Sequence, residues 1–118
     1  MFPPGQRCLV CDALATDLHE AFINKGAVQG ASEDVKAQIN HPYNCVPLCG
    51  LHNQEITHET QVVARRWLCN KAATKHYDGM SIGMDERDLL HAGAEIIQGW
   101  VDGLGLKTPY RVKGMAEL

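Results

Sequence analysis

The sequence predicts an α+β fold in which a metal-held half of short strands and turns is followed by two C-terminal helices. Three observations predict it. Two ligand pairs with matched short gaps, "CLVC" (Cys8, Cys11) and "CGLH" (Cys49, His52), stand far apart in the chain. The segment "HPYNCVPLC" carries Pro42 and Pro47, which keep it extended or turning rather than helical. Beyond His52, apolar residues recur at four-residue steps, the period of a buried helix face.

Taken in order, "CLVC" is a tight turn. "LATDLHEAFI" reads as a short strand, or a strand pair with a bend. Positions 27–40 form a loop with one short helix. Ser32 is its expected N-cap, and Glu33 and Asp34 suit the first turn, where acids favour the helix dipole. A helix is expected from about His52, with Val63 and Trp67, and Ala64, Leu68 and Ala72, on repeating faces. The two glycines of "YDGMSIG" break it. A second helix is expected from Asp85 to about Asp102, with a stripe of Leu89, Gly93, Ile96, Ile97, Trp100, Val101 and Leu104. The last ten residues read as irregular. The 118 residues suit one domain over 1–118, with a core at 7–60 and a helical extension at 61–118.

Composition bounds the function. The chain is 45% apolar, but no apolar run approaches the ~20 residues of a membrane span. The start "MFPPGQRC" lacks the apolar stretch of a signal peptide. A soluble cytoplasmic protein with no membrane partner is expected. In a reducing compartment, five cysteines and six histidines favour metal binding over disulfides.

The net charge of −3 argues against an indiscriminate nucleic-acid binder. Its distribution leaves room for a shaped contact. Between Thr60 and Tyr77 stand Arg65, Arg66, Lys71 and Lys75 and no acid, a candidate phosphate-contacting helix. Lys107, Arg111 and Lys113 form a second basic group. Either group also reads as a solvated face.

Cys8, Cys11, Cys49 and His52 together offer four N/S ligands, the set of a closed structural zinc site. The two-residue gaps let a tight turn aim both side chains at one ion. Of the remaining thiols, Cys69 reads as a small buried hydrophobe, and Cys45 as a possible competing ligand.

The order "CLVC", "LHEAF", "NCVPLCGLH", "HNQEITHE" resembles the HNH, or ββα-metal, endonucleases over roughly residues 7 to 60. The resemblance implies a zinc-held ββα-metal unit and metal-dependent hydrolysis of DNA. It places His19 and Glu20 at the paired positions where that family keeps one ligand of a catalytic divalent metal and one general base. "HE" departs from the usual "HH". His19 as ligand with Glu20 as base, and Glu20 as hard oxygen ligand for Mg²⁺ or Mn²⁺ with His19 as base, both remain open. Asn44 matches the asparagine that in the family bonds backbone and fixes the loop bearing the base. Asn53, directly after the last zinc ligand, resembles the phage recombination endonuclease VII branch, where that residue binds the catalytic metal. His58 is the other candidate, and Asp17 a candidate partner for the His19 ring. The implied setting is a bacterial or phage-infected cytoplasm, and the implied partner is DNA. Two other classes fit the same features: a zinc-stabilised DNA-binding module that does not cut, and a zinc-stabilised protein adaptor. The apolar stripe of the second helix is a candidate homodimer interface.

Overall fold

A computed structural model describes residues 5–76, 85–107 and 110–112. The fold is α+β. Strand β1 (Asp17–Glu20) pairs antiparallel with β2 (Cys45–Leu48). Between them lies a connection that holds two 3₁₀ turns and the short helix α1 (Glu33–Ala37). Helices α2 (Gly50–Gln54), α3 (His58–His76) and α4 (Glu86–Gly103) follow. The order of strand, strand and helix is ββα-like. The glycine break at 77–84 lies outside the described residues, as do Lys113 and most of the tail.

The "CLVC" turn is closed by the Cys8 N–H on the Ala13 carbonyl and by a bridge between Arg7 and Leu14. Asp12 takes φ 63° to complete it, a conformation that aspartate tolerates better than most residues. The turn docks onto the sheet through the Leu9 N–H, which donates to the Pro47 carbonyl at 3.0 Å. The Cys8–Cys11 pair is thereby seated beside the strand that leads to Cys49 and His52.

In β1 and β2, His19 faces Val46 and Glu20 faces Cys45. Side chains alternate along a strand. Asp17 and His19 therefore share a face with Val46 and Leu48, both fully buried. That face meets α3, where Ala64, Leu68 and Ala72 are buried. Leu18 and Glu20 belong to the other face.

The helix expected from about His52 is interrupted. α2 ends at Gln54, and α3 starts afresh at His58. Thr57 is the reason. Its Oγ1 accepts from the Thr60 N–H at 3.1 Å and its carbonyl from the Gln61 N–H, a new N-cap. Helices α1 and α4 begin on side-chain caps, Ser32 as expected and Asp85 one residue before the helix it was expected to start. Ser32 Oγ accepts from the Val35 N–H, and Asp85 Oδ1 from the Asp88 N–H.

The buried face of α4 is Leu90, Gly93, Ala94, Ile97 and Val101, centred one step from the expected stripe. Leu89, Ile96, Trp100 and Leu104 flank it and are half-buried. Trp100 stacks on His41 with centroids 4.8 Å apart, and its indole N–H donates to Gln38 Oε1. The stripe is thus partly covered within the chain, Trp100 by His41 and Gln38. Gln98 fastens the following segment: its Oε1 accepts from the Val112 N–H and its Nε2 donates to the Tyr110 carbonyl.

Gly93 sets the distance between α3 and α4. A Cβ there would lie 1.8 Å from the carbonyl oxygen of Cys69, backbone that cannot swing aside. Gly93→Ala must part the two helices. We expect a cost of at least ~3 kcal/mol, at the upper end for overpacked cores. A thermal melt checks this. An unchanged midpoint would show that the helices do not meet here.

Candidate metal centre

Four ligand atoms gather where the first turn meets the start of α2. Sγ of Cys11 and Cys49 are 3.6 Å apart, Cys49 Sγ and His52 Nδ1 3.2 Å, and Cys8 Sγ and His52 Nδ1 3.7 Å. All four atoms lie within 4.8 Å of one another. Tetrahedral zinc, with Zn–S near 2.3 Å and Zn–N near 2.0 Å, has ligand–ligand edges of about 3.5–3.8 Å, which this cluster reaches with side-chain shifts of about 1 Å or less. The residues present therefore fit zinc. No other cluster of three or more His, Cys, Asp or Glu ligand atoms occurs among the described residues.

Local structure explains the cluster. Cys49 is the N-cap residue of α2, so one helical turn carries His52 back over it, and the Asn53 N–H bonds the Cys49 carbonyl. Cys8 is 4% exposed and Cys11 is exposed, which gives the site one inner and one outer edge. Burial pushes the Cys8 thiol up. The N–H groups of Cys49, Val10 and Cys11 outweigh it and bring the thiol down to about 6, toward the thiolate a metal needs. The Cys49 thiol is lowered by the His52 N–H and then by the His52 ring. Cys11 ends raised: burial and the neighbouring Cys49 and Cys8 outweigh the Ala13 N–H.

The other two cysteines behave differently. Burial pushes Cys69 up to about 12, an inert core thiol as its place in α3 suggested. Cys45 goes up to about 11, through burial and then the nearby Glu20. Its S–H donates to the Ile39 carbonyl at 3.1 Å, outside the metal cluster. Cys45 is therefore not the fourth ligand.

Asn44 is fully buried, and its amide makes four hydrogen bonds, all to backbone. Oδ1 accepts from the Phe22 and Ile23 N–H groups at 3.0 and 2.8 Å, and Nδ2 donates to the carbonyls of Ile23 and Ile39 at 2.7 and 2.8 Å. This exhausts the capacity of an amide. One side chain thereby ties the exit of β1 to the turn before β2.

His19 Nε2 lies 2.6 Å from Gln61 Oε1 on α3. Gln61 takes the place proposed for Asp17, whose carboxylate instead accepts from the Thr16 hydroxyl. His19 and Glu20 project to opposite sheet faces, so they do not converge as a pair. Asn53 sits half-buried on α2, and His58 opens α3 exposed. His58 joins neither His19 nor Glu20 in a cluster of three or more His, Cys, Asp or Glu ligand atoms among the described residues.

The cations of α3 divide. Arg65 Nε donates to the Ala21 carbonyl at 2.8 Å, and its guanidinium lies 5.7 Å from the Phe22 ring centroid. It braces the end of β1. Arg66 bonds Glu86 at 3.0 Å, linking α3 to α4. Lys71 and Lys75 are exposed, Lys71 with its ammonium 4.8 Å from the Trp67 ring centroid. Trp67, Asn70, Lys71, Thr74 and Lys75 line a groove that Glu86 and Leu90 of α4 border. Gln61, Thr57 and the bracing role of Arg65 were not foreseen from sequence.

Fold and site together define an α+β chain with a Cys₃His cluster suited to zinc and a ββα-like arrangement around it. No protein-family model matches the chain, and neither a curated protein nor a solved structure matches it significantly. No helix among the described residues is long and apolar enough to cross a membrane.

Proposed function

We propose that this chain is a zinc-stabilised DNA-binding module, in which the metal holds the first turn and α2 against the sheet and α3 meets the phosphate backbone. The Cys₃His cluster carries the structural half of this reading. The binding half is supported by the acid-free run from Thr60 to His76, which leaves Lys71 and Lys75 exposed beside Trp67. Arg65 and Arg66 are poor probes of that contact, because both brace the fold. Lys71 and Lys75 are better ones. Replacing both with alanine should weaken affinity for duplex DNA at low salt and flatten the slope of log K against log salt by up to about 2. A gel-shift titration at several salt concentrations measures this. An unchanged slope makes the patch a solvated face and leaves the adaptor reading in its place.

A second reading, metal-dependent phosphodiester hydrolysis, is favoured by two observations. The Asn44 clamp fixes the chain where it leaves β1, at Phe22 and Ile23, and His19 contacts Gln61 of α3 rather than being left free. In this reading Mg²⁺ or Mn²⁺ supplies charge stabilisation to the phosphate. His19 or Glu20 takes a proton from water, and Asn53 and His58 are the further ligand candidates. Supercoiled plasmid incubated with Mg²⁺ or Mn²⁺ tests it. Nicking that His19→Ala abolishes supports hydrolysis. Plasmid that stays supercoiled while the gel shift persists leaves binding alone.

A further inference from the structure

Among the described residues, His19 on the sheet makes a short polar contact with Gln61 on α3. An amide oxygen has lone pairs and no proton, so it only accepts. At 2.6 Å from Gln61 Oε1, Nε2 of His19 must be the donor. In a neutral imidazole the other nitrogen, Nδ1, then carries the lone pair. Nδ1 has no hydrogen-bond partner among the described residues, and the residue is only half-buried.

We infer that Gln61 is a positioning residue that holds His19 as its Nε2–H tautomer and so reserves the Nδ1 lone pair for an incoming electron-pair acceptor. Both partners stand on rigid backbone. His19 is paired opposite the buried Val46, and Gln61 lies in the first turn of α3 with its N–H on the Thr57 carbonyl. The Thr57 cap therefore fixes where Gln61 presents its oxygen. What the lone pair is used for, a proton of water or a divalent cation, rests on the hydrolytic reading. The tautomer does not.

Two-bond ¹H–¹⁵N correlation spectra of the zinc-loaded, ¹⁵N-labelled protein test the inference. They are recorded above the usual histidine pKa, with the His19 signals assigned by their loss in His19→Asn. The expected result is one tautomer, with Nε2 protonated and Nδ1 bare. Gln61→Met, similar in shape but without the amide acceptor, should release a measurable Nδ1–H population. Gln61→Glu keeps an acceptor and should restore the wild-type signature. Zinc content and the remaining amide signals serve as the fold control, and the wild-type spectrum decides alone if a variant does not fold. A proton on Nδ1 in the wild type overturns the inference, because the Gln61 amide nitrogen would then face the ring. A tautomer unmoved in Gln61→Met overturns it as well. If the wild type nicks plasmid, Gln61→Met should lower that rate and Gln61→Glu recover part of it. If the wild type does not nick, the hydrolytic reading falls and the spectra still decide the tautomer.

Discussion

Stripping the metal from this protein is expected to unfold it. A structural zinc in a small site contributes ~10–16 kcal/mol to folding at neutral pH. A whole domain has only about 5–15 kcal/mol of net stability. The dependence is steep here because the ligands come from segments with little else to join them. Cys8 and Cys11 sit in a turn held to the sheet by few hydrogen bonds, and α2 is five residues long. Cys49→Ala should act as chelation does, because it removes the ligand that contacts both Cys11 and His52. Circular dichroism during titration with a strong chelator should show cooperative loss of helix, reversed by added Zn²⁺. A metal-free protein with the native spectrum and melting point would show that the cluster is not structural.

Asn44→Ala is expected to have the next largest effect. The substitution leaves the N–H groups of Phe22 and Ile23 and the carbonyls of Ile23 and Ile39 without the side-chain partner they now have. The Ile39 carbonyl keeps the Cys45 S–H, so three buried backbone groups are left unpaired; each costs ~1–3 kcal/mol, roughly 3 kcal/mol or more in all. Asn44→Asp is the sharper test because it preserves shape. Its carboxylate still accepts from Phe22 and Ile23, but it turns an oxygen toward the two carbonyls that Nδ2 now serves. It should be destabilised about as much as the alanine variant. Denaturant unfolding of the zinc-loaded proteins measures both. An aspartate variant as stable as the wild type would mean that the two donor bonds contribute nothing.

What the sequence disclosed follows the range of the interactions. The four residues of the Cys₃His cluster were legible because each pair is local: a two-residue gap is both a turn and a chelate. The cap at Ser32 was legible for the same reason, since the side chain bonds backbone three residues ahead; Asp85, expected as the first residue of its helix, is instead its cap. Asn44 stood out only through its place in the ordered set, and its partners across the loop came from the fold. Features decided between elements were not legible. Arg65 and Arg66 are neighbours in sequence, yet about 100° of helical rotation sends one to the Ala21 carbonyl and the other to Glu86. The same rotation brings Gln61 to His19. Leu90 rather than Leu89 is buried because Gly93 lets α4 approach α3 along the line of Cys69. "HE" looked like a pair in one dimension. In a strand, adjacent side chains part to opposite faces, so any joint action of His19 and Glu20 has to work across the edge of the sheet.

The central claim is that three cysteines and one histidine, from two distant turns, bind a single zinc that holds the fold. X-ray absorption at the zinc edge of the purified protein tests it most directly. The account predicts one zinc per chain with three sulfur neighbours near 2.3 Å and one nitrogen near 2.0–2.1 Å. Four sulfurs would place Cys45 or Cys69 in the site and displace His52; an absent zinc, or an oxygen-rich shell, would contradict the account outright.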